Sequence, residues 1–163
     1  MTNQDQFKTP PGASPEEAAC HALAWMWNRL DPEPVLLLLS SEVVWESQMV
    51  LVPLVGNDAV TEYLLGKMET LREMGADLRL CAELGRCGDE RDRAVQVLSA
   101  YEGRPCVLTY QGEDLERREP SGLVLVEMAA GCIRRVDLCT VAPVPAAATR
   151  LGVFPGMAGR PHA

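Results

Sequence analysis

The chain is predicted to be an α+β domain, with N-terminal helices and one long helix packed on a curved, mostly antiparallel sheet. Three observations carry this. Apolar residues recur at helical spacing before Leu30 and again from Asn57 to Gly75. A short strand-like alternation, Glu42 to Gln48, lies between those helices. After Gly75 the period changes to two, and strand patterns then run to Cys139. Helices first and strands afterwards is an α+β order, and it implies a pocket between the two layers.

Bulk properties narrow the class. A chain of 163 residues fits one domain that buries roughly 70% of its unfolded surface. Hydrophobic residues make up 47% and charged residues 23%, a globular composition rather than a disordered one. The net charge of -8 repels phosphate backbones, so nucleic acid is not expected as a partner. Six cysteines occur with no C-x-x-C pair and only two histidines, so no metal and no cofactor is expected. Most of these thiols read as small hydrophobes, and reduced thiols fit a cytoplasmic protein. No run reaches the ~20 apolar residues of a membrane span, and the polar N-terminus carries no signal-peptide core.

Residues 1–13 read as a flexible leader, 14–140 as the domain, and 141–163 as a Pro/Ala/Gly-rich tail. Ser14-Pro15-Glu16-Glu17 starts the first helix: serine caps, proline suits the first turn, and Glu17 completes a capping box. Ala19, Leu23, Trp27 and Leu30 form its buried stripe, with Met26 beside it. Asp31-Pro32 opens a short second helix to Leu39, although PVLLLL also fits a buried strand. Val43, Trp45 and Ser47 alternate with Val44, Glu46 and Gln48 on the first strand, so Trp45 faces the cavity if Glu46 faces out. MVLVPLVG is an apolar connection in which Pro53 blocks a central strand. Asn57-Asp58 opens the long helix, Val60, Tyr63, Leu64, Met68 and Leu71 share its apolar stripe, and Gly75 ends it.

Strands are then expected at Leu78–Leu84, Ala94–Tyr101 and Cys106–Gln111, with GRCGDERD and GEDLERREPS as charged, solvated loops. LVLVEM and IRRVDLC close the domain as a hairpin turning at Ala130-Gly131. A two-residue turn sets Met128 opposite Ile133, Glu127 opposite Arg134 and Leu125 opposite Val136. Glu127 and Arg134 then share a face with Leu123, Leu125 and Leu138. That pair either floors a ligand pocket or forms a cross-strand ion pair at a rim. Val124, Val126, Met128, Ile133 and Asp137 fall on the other face. One face packs on the helices and the other meets a second subunit, because an open apolar sheet face is a liability. The facing of Tyr110 stays open, and His21, one turn from Trp25, reads as a helix-surface residue.

The helix Pro15–Leu30, the stretch VVWESQMVLVPLVGNDAVTEYLLGKM and the closing GCIRRVDL together resemble the NTF2-like superfamily, and within it the SnoaL-like group. The resemblance covers roughly residues 14–140 and rests on element order and spacing. It implies a cone-shaped cavity between the helices and the concave sheet face, and homodimerisation through the sheet. It also implies cavity chemistry such as isomerisation, aldol cyclisation, epoxide hydrolysis or dehydration, driven by a carboxylate base with a Tyr, His or second acid. A ketosteroid-isomerase-like site would draw on Glu127 and Tyr63 but lacks a second pocket acid. An epoxide-hydrolase-like site wants an Asp-Arg-Asp trio, for which Arg134 lacks two partners. A dehydratase-like site wants pocket histidines, and His21 stands alone.

The expectation is therefore a domain that binds a small, largely apolar molecule in a cavity lined by Trp45, Tyr63, Leu123, Leu125, Glu127, Arg134 and Leu138. An isomerase or cyclase with Glu127 as base and Arg134 as its electrostatic partner is the alternative. A third reading is an interaction module that uses GEDLERREPS as its contact loop.

Overall fold

Ser14 and Glu17 close the capping box foreseen above. The Ser14 hydroxyl accepts the Glu17 N–H at 3.2 Å, and the Glu17 carboxylate accepts the Ser14 N–H at 2.9 Å. This starts α1 (Pro15–Arg29), which buries Ala19, Leu23, Met26 and Trp27 and ends at Leu30 in the left-handed conformation. The computed structural model describes residues 6–47, 52–75, 78–87 and 103–139. The segment expected as a flexible leader sets the Phe7 ring edge-on to Trp25, with centroids 5.7 Å apart.

The PVLLLL ambiguity resolves by division. A single turn, α2 (Glu33–Leu36), buries Val35, and β1 (Leu39–Ser47) begins three residues before the expected Glu42. Beyond Pro53 the chain adds a two-residue strand, β2 (Leu54–Val55), antiparallel to β1, where only a connection was expected. Proline just before an edge strand costs no ladder hydrogen bond. The long helix, α3 (Asn57–Met74), forms where expected and buries Val60, Leu64, Met68 and Leu71, whereas Tyr63, expected on the same stripe, is 37% exposed.

The remaining elements are β3 (Leu80–Arg86), β4 (Pro105–Gln111), a short α4 (Glu113–Arg117), β5 (Gly122–Ala129) and β6 (Cys132–Cys139). The expected strand at Ala94–Tyr101 lies outside the described residues, and β3 pairs directly with β4, Leu84 opposite Val107. The loop GEDLERREPS, expected to be solvated and mobile, contains α4. Ser121 Oγ ties that loop down, donating to Asp114 at 2.9 Å and accepting the Gln111 N–H at 2.8 Å.

The sheet order is β2-β1-β6-β5-β4-β3, open at both ends, with β1·β6 parallel and every other pair antiparallel. Helices α1 and α3 pack on one face of it. This is the α+β fold that was expected, helices packed on a mostly antiparallel sheet. Asn28 pins α1 to the edge strand: its side-chain amide donates to the Ala82 carbonyl and accepts the Ala82 N–H, both at 2.7 Å. The backbone N–H and carbonyl of Ala82, on an edge strand among the described residues, are thereby satisfied.

The hairpin turn is where expected, with Ala130 and Gly131 at φ 51° and 75°. Two successive left-handed residues match the twist of the flanking strands. The register beyond the turn differs from expectation. Met128 does face Ile133, but a bulge follows, and Glu127 then faces Arg135, Val126 faces Val136 and Leu125 faces Asp137. Arg134 is the extra residue. Because side chains alternate, one additional residue exchanges the faces of everything after it.

Two apolar clusters result. Val124, Val126, Ile133 and Val136 join Trp45, Val43 and the buried residues of α1 and α3 in the main core. Leu123 and Leu125 point the other way and join Cys106, Leu108, Tyr110 and Cys139, with Leu115 of α4 packed against them. The expected grouping of Leu138 and Arg134 with Leu123 and Leu125 is thus corrected: Leu138 packs on the helix side. Leu123 and Leu125 are buried, at 1% and 4% exposure.

Candidate functional site

A cleft of about 130 Å³ opens between the helices and the sheet. Trp27 of α1 and Lys67 and Leu71 of α3 form its helical wall. Leu80 of β3, Thr109 and Gln111 of β4, Val124 of β5 and Leu138 of β6 form the sheet wall, bordered by Leu123 and Cys139. The local reasons are periodic. Lys67 and Leu71 are one helical turn apart, so they share a face of α3. Thr109 and Gln111 alternate with Leu108 and Tyr110, so they look towards the helices while the latter pair looks away. The lining residues are mostly apolar, with Lys67, Thr109 and Gln111 carrying an ammonium, a hydroxyl and an amide beside the Trp27 indole and the Cys139 thiol.

The residues expected to line the cavity are divided by the structure. Leu123 and Leu138 border the cleft. Trp45 and Tyr63 sit together elsewhere between β1 and α3, with ring centroids 6.4 Å apart. Trp45 is 3% exposed, and its indole N–H has no hydrogen-bond partner among the described residues. Partial burial pushes the Tyr63 phenol above its ordinary value of 10.0. Leu125 belongs to the outer cluster. Glu127 and Arg134 form an ion pair at 3.0 Å, with side chains 35% and 58% exposed, beside the hairpin turn and away from the cleft walls.

The most developed charged cluster was not foreseen. Arg135 lies on the outer sheet face between two acids, Asp137 on its own strand and Glu46 on β1. Arg135 and Asp137 are 9% and 8% exposed. Burial opposes the guanidinium charge, but hydrogen bonds and the charges of Asp137 and then Glu46 outweigh it, holding Arg135 above its ordinary value. The arginine with two acid partners that Arg134 could not supply is therefore present one position later, on the face away from α1 and α3. Arg135-Val136-Asp137 carried the signal, since i and i+2 share a strand face, but the bulge could not be seen.

The remaining candidates have structural partners. Tyr110 faces outward and its hydroxyl donates to Glu83 at 2.6 Å. Trp25 donates its indole N–H to Asp31 at 3.1 Å, beneath the guanidinium of Arg29. None of the six cysteines is joined to another in a disulfide. Among the described residues no group of three metal-ligating side chains is assembled, and no helix is long and apolar enough to cross a membrane.

No family model and no curated protein matches the chain. Three solved structures are similar to it at the level of backbone shape. A proposed isomerase from Bacillus subtilis is 14% identical, covers 77% of this chain and 88% of its own, and superposes with a TM-score of 0.44. A proposed polyketide cyclase from Xanthomonas campestris is 16% identical over 77% of this chain and 91% of its own, with a TM-score of 0.37. A second proposed polyketide cyclase, from Pseudomonas putida, is 17% identical over 78% and 91%, also at 0.37. At such identities no residue role and no activity passes from these proteins to this chain.

Proposed function

We propose that the protein binds a small, largely apolar molecule in the cleft between α1, α3 and the inner sheet face. The supporting observation is the cleft itself: about 130 Å³, walled by Trp27, Leu71, Leu80, Val124 and Leu138 with few polar groups. Small-molecule sites have this character, apolar walls with a few placed polar atoms that orient the ligand. The test is ligand-detected NMR with a panel of small apolar compounds, on the wild type and on Leu138→Trp, which fills the cleft from the sheet side. Binding that disappears in a folded Leu138→Trp variant is the expected result. Equal binding by both proteins would move the ligand elsewhere and end this reading.

A catalytic reading, an isomerase or cyclase with Glu127 as base and Arg134 as its partner, has the 3.0 Å contact between the two in its favour. In that reading Glu127→Gln abolishes turnover of a substrate without changing the unfolding midpoint. The cleft carries the binding reading further, because neither charged residue borders it.

A further inference from the structure

The ligand class follows from Lys67, an inference that rests on the cleft being the binding site. We propose that the cleft takes a one-ring or short-chain carboxylate, with its apolar body between the walls and its anionic end on the Lys67 ammonium.

Size comes first. An apolar cavity of ~150 Å³ admits benzene. A cleft of about 130 Å³ therefore matches one ring or a few methylenes in size. Because the cleft is open on one side, a polar end can remain at the mouth.

Charge comes second. The chain carries a net charge of -8, yet no Asp or Glu borders the cleft among the described residues, and Lys67 is the cation that does. Lys67 makes no ion pair or hydrogen bond among the described residues, so its ammonium is available to a ligand. Lysine suits this exposed position, because a lysine stem can cover an apolar wall while its charged head stays in water. Thr109 and Gln111 stand two residues apart on the same side of β4 and supply a hydroxyl and an amide to a carboxylate oxygen. A cation facing apolar walls, with two hydrogen-bonding groups beside it, fits an amphiphilic anion better than a neutral hydrocarbon or a cation.

The experiment compares hydrocinnamate with hydrocinnamyl alcohol, which share a carbon skeleton and differ in charge. The chain contains only two lysines, Lys8 and Lys67, so reductive methylation with labelled carbon places a reporter at Lys67 while preserving its charge. The acid is expected to bind roughly tenfold tighter than the alcohol, and to shift the Lys67 methyl signal while leaving that of Lys8 in place. Lys67→Met should remove the acid's advantage and leave alcohol binding unchanged, whereas Lys67→Arg should retain most of it. If both compounds bind equally and Lys67→Met changes neither, the carboxylate assignment is overturned while the cleft reading survives. If neither compound binds at millimolar concentration, the cleft reading falls and takes this inference with it.

Discussion

Arg135 and Asp137, two positions apart on β6, clasp each other along the outer face of the sheet. The arginine Nε donates to both carboxylate oxygens at 3.1 and 3.0 Å, and Nη2 donates to one of them at 2.9 Å. Nη2 also reaches the carboxylate of Glu46, so the cluster spans the parallel β1·β6 junction. Removing the cation would leave two poorly solvated carboxylates facing each other. Arg135→Met should therefore cost about 3–5 kcal/mol, read from urea unfolding. A loss under about 1 kcal/mol would show that the cluster does not hold the strands together.

Its neighbour in sequence should behave differently. Arg134 bonds Glu127 from a side chain that is 58% exposed, where solvent screens the attraction. Arg134→Met should change stability by no more than about 1 kcal/mol. The two substitutions together test the bulge, because a regular hairpin would reverse their ranking.

Gly85 has no room for a side chain. A Cβ there would lie 2.7 Å from both Cγ and Cδ1 of Leu108, a fully buried residue of the outer cluster. Gly85→Ala should cost about 1–3 kcal/mol through overpacking. Adding Leu108→Ala should then cost less than it does in the wild type, a non-additivity that a double-mutant cycle measures directly. Additive costs would place the two residues out of contact.

Burial, and next the nearby Cys87, push the Cys20 thiol from its ordinary 9.0 up to about 12. The unfolded chain ionises this thiol first, so its contribution to stability is fully present below pH 9.0 and is lost as pH rises to about 12. Stability should fall across that window by at most roughly 1.4 kcal/mol per pH unit from this group. In Cys20→Ala the alkaline slope should be shallower by that amount. Identical slopes in the two proteins would mean that the folded thiol ionises as readily as the unfolded one.

Local rules reached most of the fold, and the failures have local causes. The capping box at Ser14 and Glu17, the stripe on α3 and the turn at Ala130-Gly131 are short-range features, so their chemistry stands in neighbouring letters. The face of every residue beyond Arg134 depends on one extra residue in β6, and a bulge leaves no compositional mark there. That single step placed Asp137 on the wrong face and directed attention to Arg134 instead of Arg135. A space between helices and sheet was expected, but the walls of the cleft are drawn from six elements. Lys67 and Thr109 are 42 positions apart and meet only through packing. Leu138 borders the cleft although the face assignment that selected it did not hold.

The parallel pairing of β1 with β6 also has a meaning in time. β1 ends at Ser47 and its central partner begins at Cys132, with nearly the whole sheet encoded between them. At roughly 5–20 residues per second, a ribosome makes β6 on the order of ten seconds after β1. For that interval, among the described residues, the nine-residue β1 has β2 beside it and α3 across it but lacks the strand that puts it in the interior of the sheet. Ribosome-bound chains halted before β6 should therefore be the ones that engage chaperones, and release from them should coincide with emergence of the final hairpin.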